Sequence, residues 1–551
     1  MTRRAIATVT AAFFLNASIT FENVWPTPAI RWSGGLSIEF AIAVLLMASV
    51  ARRAGPPARY AAGCLSALWI ILVLGRYAEV TAPALYGRDV NLYWDLRLIP
   101  DVAAMATRVA PLWLLVASTA VAASMLAILY FLLRSAWRSI LTALADDGSA
   151  DPGSADRSAM RSAIRTPHSA IILRLVLIGA SAAALVGASA ERLAGRNTDE
   201  STFTTPVTVT YARQVWFVAE AISGSSPVAD SLPIDSDLSR VRGADVLLVF
   251  VESYGAVSFA HPDIAGALAG ARARLEAAVR DGGRDAVSAY VESPTFGGSS
   301  WLAHLSLLSG VEVRDARTND RLMTERRDTL IRLFARRGFR TVALMPGLRQ
   351  RWPEGVFYGF DAIYGADRLA YRGPEFGWFA IPDQYSLERL DALEVTRSPR
   401  PPLFVFFPTL TTHFPFNPTP PYQPDWRRIA SDRPFDGPEI VRAYAREPDW
   451  LNFTPGYIDA MSYEFDTLAG YLRRNAARDF VMLLVGDHQP PALVSGEGAV
   501  WDVPVHVITS RAPVLDALLA RGFQRGLTPA APAVARMHTL LPILLEAFGD
   551  H

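Results

Sequence analysis

The strongest constraint on this chain is a cluster of apolar segments, all before residue 191. Five stretches, at about 5–22, 35–51, 60–80, 110–133 and 169–190, each come near the ~20 apolar residues that a helix needs to cross a bilayer. Hydrocarbon offers no hydrogen-bond partners, so such segments fold as helices that satisfy their own backbone. The expectation is a five-helix transmembrane domain over residues 1–190. Arg3 and Arg4 would suit the start of a cleaved signal peptide, but the four runs that follow favour an uncleaved multi-pass protein. Composition agrees: 51% of residues are hydrophobic and 19% charged, against about a quarter charged in soluble domains.

Arginine placement sets the expected orientation. Arg3 and Arg4, then Arg52, Arg53 and Arg59, then Arg134, Arg138, Arg157, Arg161 and Arg165 all fall on one side, which is the cytoplasm by this rule. Five spans then place everything after residue 191 outside a bacterial-type inner membrane. Within the spans, Glu39 and Arg76 are expected either to pair across the second and third helices or to snorkel to the interface.

The 53 basic residues, all arginine, balance 53 acidic ones. Zero net charge argues against a nucleic-acid partner held by a basic surface. The absence of lysine excludes a P-loop lysine, a Schiff base and a Ser–Lys dyad. One cysteine, Cys64, excludes an intrachain disulfide.

Residues 191–243 read as a juxtamembrane linker, amphipathic at 211–223 and rich in Ser, Asp and Pro from Pro227 to Asp237. From residue 244 to 551 the pattern changes again. Apolar, β-rich runs at 245–251, 286–291, 340–345, 402–407, 479–485 and 503–508 alternate with helical patterns. Continuous apolar strands alternating with helices imply a mainly parallel sheet buried on both faces, an α/β domain. Sites in such sheets form beyond the carboxyl ends of the strands.

The strand ends carry chemistry. The first runs into Glu252-Ser253-Tyr254-Gly255, the fifth into Asp487-His488-Gln489-Pro490, and the fourth into Thr411-Thr412-His413. Gly297-Gly298-Ser299-Ser300 follows the second and opens directly into a helix. Asp, Glu and His together suit a divalent cation. A serine at a helix N-terminus sits where the dipole favours negative charge, and a metal beside it would lower the hydroxyl pKa. Ser300 is the preferred nucleophile and Ser299 its rival.

These motifs resemble the alkaline phosphatase/sulfatase superfamily, and within it the membrane-anchored lipoteichoic acid synthase-like phosphoglycerol transferases. That family has five spans, a linker and an extracytoplasmic sulfatase-like domain. Val251-Glu252-Ser253 is similar to its strand-end glutamate motif, Gly486-Asp487-His488 to its metal motif, and His413 to its substrate histidine. Its nucleophile motif is Thr-Ser-x-Ala-Glu-Phe. Here Ser300-Trp301-Leu302-Ala303-His304-Leu305 has the same spacing, with Ser300 at the threonine position and His304 at the glutamate. The resemblance implies one divalent ion, manganese, zinc or magnesium, held by Glu252, Ser300, Asp487 and His488. It also implies that Arg349, Arg351 and Trp352, with His413 and His304, bind the substrate.

Two relatives fit less well. Formylglycine sulfatases follow the nucleophile with x-Pro-x-Arg and use lysines for sulfate, and this chain has neither feature. Phosphoethanolamine transferases share the five-span plan but usually carry disulfides, and residues 244–551 contain no cysteine. The expectation is a metal-dependent phosphoester transferase or hydrolase that acts on lipid or glycan head groups. A sulfate-ester hydrolase, a phosphoethanolamine transferase and a non-catalytic protein with a degenerate domain are the alternatives.

Overall fold

The computed structural model describes residues 3–25, 27–54, 60–87, 89–96, 99–100, 103, 107, 112–145, 167–193, 202–223, 229–349, 352, 355–377, 379–446, 448–449 and 452–550. The chain divides into two compact units. One comprises residues 1–83 with 89–224, the other 84–88 with 225–551.

The first unit is helical. Its main helices are α1 (Arg3–Ala17), α2 (Ile38–Ala54), α3 (Ala61–Tyr86), α4 (Leu112–Ala145), α5 (Pro167–Leu193) and α6 (Val207–Ser223). Helices thus form over all five apolar stretches. Among the described residues three are long and apolar enough to cross a bilayer: Ala61–Tyr86, Leu112–Ala145 and Ile171–Leu193. α1 and α2, at 15 and 17 residues, fall short of the ~20 needed to span unaided. Glu39 and Arg76 are both buried but do not pair. Arg76 bonds Glu79 one turn along its own helix at 3.1 Å and the Phe21 carbonyl at 3.0 Å. Glu39 accepts from Ser37 Oγ at 3.1 Å and from the Thr208 amide at 3.2 Å. A local carboxylate three residues away satisfies the guanidinium without a partner from another helix.

The second unit is built on a nine-stranded mixed sheet. Its strands are β1 (Asp245–Val251), β2 (Asp285–Glu292), β3 (Arg340–Leu344), β4 (Ala362–Tyr364), β5 (Leu403–Pro408), β6 (Phe480–Gly486), β7 (Asp502–Thr509), β8 (Gln524–Arg525) and β9 (Ala535–Arg536). The spatial order is β8-β2-β7-β6-β1-β5-β3-β4, and β9 also pairs with β2. The run β6-β1-β5-β3-β4 is parallel throughout. β7 is antiparallel to both its neighbours, so the sheet is mainly but not wholly parallel. The link from β6 to β7 holds only one four-residue helix, Ala492–Ser495. That is too little for a crossover, so β7 must start at the edge where β6 ends.

Both faces of the sheet are covered, which is why the strands are apolar at successive positions. Val246, Leu248 and Phe250 of β1 pack with Val481, Leu483 and Val485 of β6 on one face. Helices α8 (Ser300–Ser309) and α11 (Leu540–Phe548) cover that face, and α7 (Pro262–Asp281) and α10 (Thr454–Arg474) cover the other. On α10 the buried positions Tyr457, Met461, Glu464, Phe465, Leu468 and Leu472 follow the helical period. A further helix, α9 (Asp383–Leu390), lies in a region without sequence periodicity, and its first six residues are buried.

Candidate active site

Strand alternation explains which side chains meet. Phe250 of β1 faces α8, so Glu252, two residues on, points the same way. Val485 of β6 faces α8 too, and so Asp487 joins it there. β1 and β6 are paired in register as far as Val251 and Gly486, which brings the two carboxylates side by side. Gly486 is required at this point, because a Cβ there would lie 1.9 Å from the Tyr254 carbonyl oxygen.

The N-terminus of α8 supplies the hydroxyl. Ser300 Oγ donates to Glu252 Oε2 at 2.8 Å and lies 3.2 Å from His488 Nε2. His488 Nε2 is 3.4 Å from Glu252 Oε1 and 3.6 Å from Asp487 Oδ2. Ligand atoms of Glu252, Asp487 and His488 all lie within 4.8 Å of one another. The three are buried, whereas Ser300 is half-buried. His488 Nδ1 bonds the Gln489 carbonyl at 2.7 Å, which fixes the ring with Nε2 toward Ser300.

Two residues with left-handed backbone flank the site, Ser253 at φ 56° and Ser299 at φ 63°. Such conformations cost a non-glycine residue about 1 kcal/mol each. At Ser253 the turn aims the backbone N–H at Asp487 Oδ1, 2.8 Å away. At Ser299 it starts α8 without a side-chain cap, so the following residue, Ser300, turns its hydroxyl to the carboxylates.

The electrostatics favour a cation. Burial raises a carboxyl, but the charge and hydrogen bond of His488 outweigh it for Glu252, which is held well below its usual range. Burial pushes Asp487 up, and the Glu252 charge beside it pushes it further. Burial lowers an imidazole, yet Asp487 and Glu252 together lift His488 to about 9. Asp487 Oδ2 is buried and has no hydrogen-bond partner. A buried carboxylate oxygen left in that state is costly. Two carboxylates, an imidazole nitrogen and a hydroxyl converging on one point are a donor set that fits zinc or manganese.

The loop after β5 frames Glu252. The Glu252 amide donates to Thr409 Oγ1 at 3.1 Å, and Thr412 Oγ1 donates to the Glu252 carbonyl at 2.6 Å. His413 follows directly. Its Nδ1 bonds the Phe414 carbonyl at 2.7 Å and its ring stands edge-on to Phe379 at 4.9 Å.

The other residues expected at the site make no hydrogen bond to this cluster among the described residues. His304 is one turn along α8, with its ring against Phe250 at 4.5 Å and Phe406 at 5.4 Å. Its Nε2 is buried without a partner, and burial lowers its pKa to about 3, so the ring is neutral. Trp352 packs toward the core against Tyr358 at 5.3 Å, and Arg349 is exposed. No hydrogen bond or ion pair links either to the four clustered residues among those described. Arg351 lies outside the described residues. Sequence reasoning missed Ser253, Thr409 and Thr412, which bond the backbone or side chains of the cluster. The only signal for them was adjacency to a strand-end motif.

No protein-family profile matches the sequence, and no curated protein matches it. Solved structures are similar to it at low identity. The lipooligosaccharide phosphoethanolamine transferase A (EptA) from Neisseria meningitidis is 13% identical at TM-score 0.41, covering 91% of this chain and 88% of that one. The lipoteichoic acid synthase LtaP from Listeria monocytogenes is 13% identical at TM-score 0.34, covering 53% and 71%. An alkaline phosphatase superfamily protein from Vibrio parahaemolyticus is 15% identical at TM-score 0.33, covering 58% and 77%.

Proposed function

We propose that this chain is a metal-dependent phosphoester transferase or hydrolase of the phosphoglycerol-transferase type, acting on membrane lipid or glycan head groups. In this reading the chain is multi-pass in a bacterial-type inner membrane, with five membrane helices over residues 1–190, a linker to 243 and the catalytic domain from 244 to 551 outside the cytoplasm. The observation that carries the reading is Ser300 Oγ poised between Glu252 and His488, next to the orphaned Asp487 oxygen.

Glu252, Asp487, His488 and the Ser300 oxygen would hold one divalent ion, manganese, zinc or magnesium. Bound there, it lowers the hydroxyl pKa and stabilises charge on the phosphoryl oxygens. Ser300 Oγ attacks phosphorus, an O–P bond forms, and the bond from phosphorus to the lipid oxygen breaks. That oxygen leaves with a proton. Water or an acceptor hydroxyl then attacks phosphorus of the serine phosphodiester that carries the head group, the Ser300 O–P bond breaks, and the attacking group's proton returns to Ser300 Oγ. The N-terminus of α8 points partial positive charge at the phosphate throughout. His413 contacts the phosphate or moves the proton, and Arg349, Arg351 and Trp352 bind the head group.

The test is intact-mass spectrometry of the full chain after incubation with vesicles of phosphatidylglycerol or phosphatidylethanolamine. A phosphoglycerol or phosphoethanolamine adduct on Ser300, absent in Ser300→Ala with metal content preserved, supports the reading and names the group. An adduct on Ser299 moves the nucleophile. No stoichiometric metal and no adduct means a degenerate domain.

A further inference from the structure

Under the site lies a pair of buried acids that the proposed chemistry does not use. Asp383 and Gln384 open α9 and are fully buried. Asp383 accepts from the backbone amide of Leu410 at 3.0 Å and of Thr411 at 2.7 Å. Gln384 grips the far end of the same loop. Its Nε2 donates to the Gln423 carbonyl at 2.6 Å, and its Oε1 accepts from the Gln423 amide at 3.0 Å. Two consecutive side chains therefore close both ends of the proline-rich segment 409–424, which carries His413. α10 backs them: Tyr463 OH accepts from the Gln384 amide at 3.3 Å. Glu464 sits beside Asp383 on the buried stripe of α10.

No ion pair reaches Asp383 or Glu464 among the described residues. Burial raises both carboxyls, Asp383 to about 6 and Glu464 further, with the Asp383 charge beside it adding to the rise, and both Glu464 oxygens are buried without a hydrogen-bond partner. The Asp383 oxygens are taken up by the two loop amides. A buried unpaired acid on an apolar helix stripe is costly to keep, and an apolar residue would serve the core better. What the pair supplies is a fixed loop base.

We propose that Asp383 and Gln384 are positioning residues that staple the loop 409–424 at both ends and so set His413 over the strand edge. This rests on His413 touching substrate in the proposed transferase.

Hydrogen–deuterium exchange of the full-length chain reads the staple without any activity. Asp383→Ala or Gln384→Met should speed exchange across 409–424 by about tenfold or more, leaving β1 and β6 protected. With a chromogenic nitrophenyl phosphodiester as probe, KM should rise about tenfold with metal content unchanged. Asp383→Asn keeps an acceptor for the two amides and a donor for Glu464, so it should restore both readouts. In a His413→Ala background the staple variants should add no further loss. Unchanged exchange, loss of metal, or a loss additive with His413→Ala overturns the proposal. His413→Ala alone leaving KM intact overturns it through the reading of His413, while the exchange data still report whether the loop was released. Where Asp383→Ala does not fold, Gln384→Met and Asp383→Asn carry the same contrasts.

Discussion

The two ends of β1 hold carboxylates in opposite conditions. At its start, Asp245 accepts from both Nη atoms of Arg400 at 2.7 Å, from Arg478 at 2.7 Å and from the Leu403 amide at 2.9 Å. Burial would raise it, but the hydrogen bonds of Arg400 and Arg478 win and hold it below its ordinary value of 3.8. Seven residues on, Glu252 and Asp487 have no arginine partner among the described residues, only His488, the hydroxyls of Ser253 and Ser300 and two backbone amides. The chain has 53 arginines, so this difference is not one of supply. A buried carboxylate that is fully paired belongs to the architecture. A pair that repels, with one oxygen orphaned, is where the proposed function seats a cation and a substrate. The start of the strand is neutralised by the chain's own arginines, and the end, in the proposed function, by the ion it would bind.

The same chemical change at the two ends should break that comparison most sharply. Asp487→Asn or Glu252→Gln should remove stoichiometric metal and cut turnover by about a thousandfold, roughly 4 kcal/mol of barrier. Elemental analysis and the phosphodiester assay read both. Yet metal-free Asp487→Asn should unfold at a higher temperature than the metal-free parent, by about 1 kcal/mol, because a neutral amide relieves two crowded acids. Asp245→Asn should do the reverse. It leaves Arg400 and Arg478 facing each other across a neutral group, at a cost of about 3 kcal/mol in denaturant unfolding, with metal content and turnover per folded molecule unchanged. Equal signs for the two substitutions would dissolve the distinction.

The pH dependence of stability sharpens it further. Asp245 is depressed in the folded state, so its contribution is fully present above 3.8, the unfolded value, and fades as pH falls through the lower folded value. Asp245→Asn should therefore flatten the acid limb of unfolding below about pH 4. An acid limb identical to the parent's would show that the two arginines do not hold Asp245 as described.

How much of this could be read beforehand depends on the kind of constraint. The strands announced themselves because β5 and β6 are apolar throughout and β1 is apolar after Asp245, a pattern that only a sheet buried on both faces requires. The cluster of Glu252, Ser300, Asp487 and His488 was legible because each sits directly after a strand or at a helix start, where topology alone brings them to one edge. β7's direction was not legible, since an apolar run carries no sign and only the short β6–β7 link decides it. α9 was invisible as well. Its burial comes from gripping a loop rather than from a stripe, so Asp383 and Gln384 read as ordinary polar residues. Glu464 did leave a trace, a carboxylate on the apolar stripe of α10, which is the kind of local conflict that marks function or strain.

His304 gives the smallest effect and the finest test of what the strand edge tolerates. It stands where the resembled family has a glutamate, within the electrostatic reach of Glu252 and His488. A third carboxylate there would add to the repulsion between Glu252 and Asp487 unless a cation balanced it. The chain instead places a neutral ring between Phe250 and Phe406, with Nε2 unpartnered. An unpaired buried nitrogen costs about 1–3 kcal/mol, and an apolar ring of similar shape avoids that cost. His304→Phe should therefore leave stability within about 1 kcal/mol of the parent or raise it, with metal content retained and turnover within about threefold. If the substitution instead abolishes turnover while the metal stays bound, His304 reaches the substrate. The edge of the active site would then extend one helical turn deeper along α8 than its hydrogen bonds show.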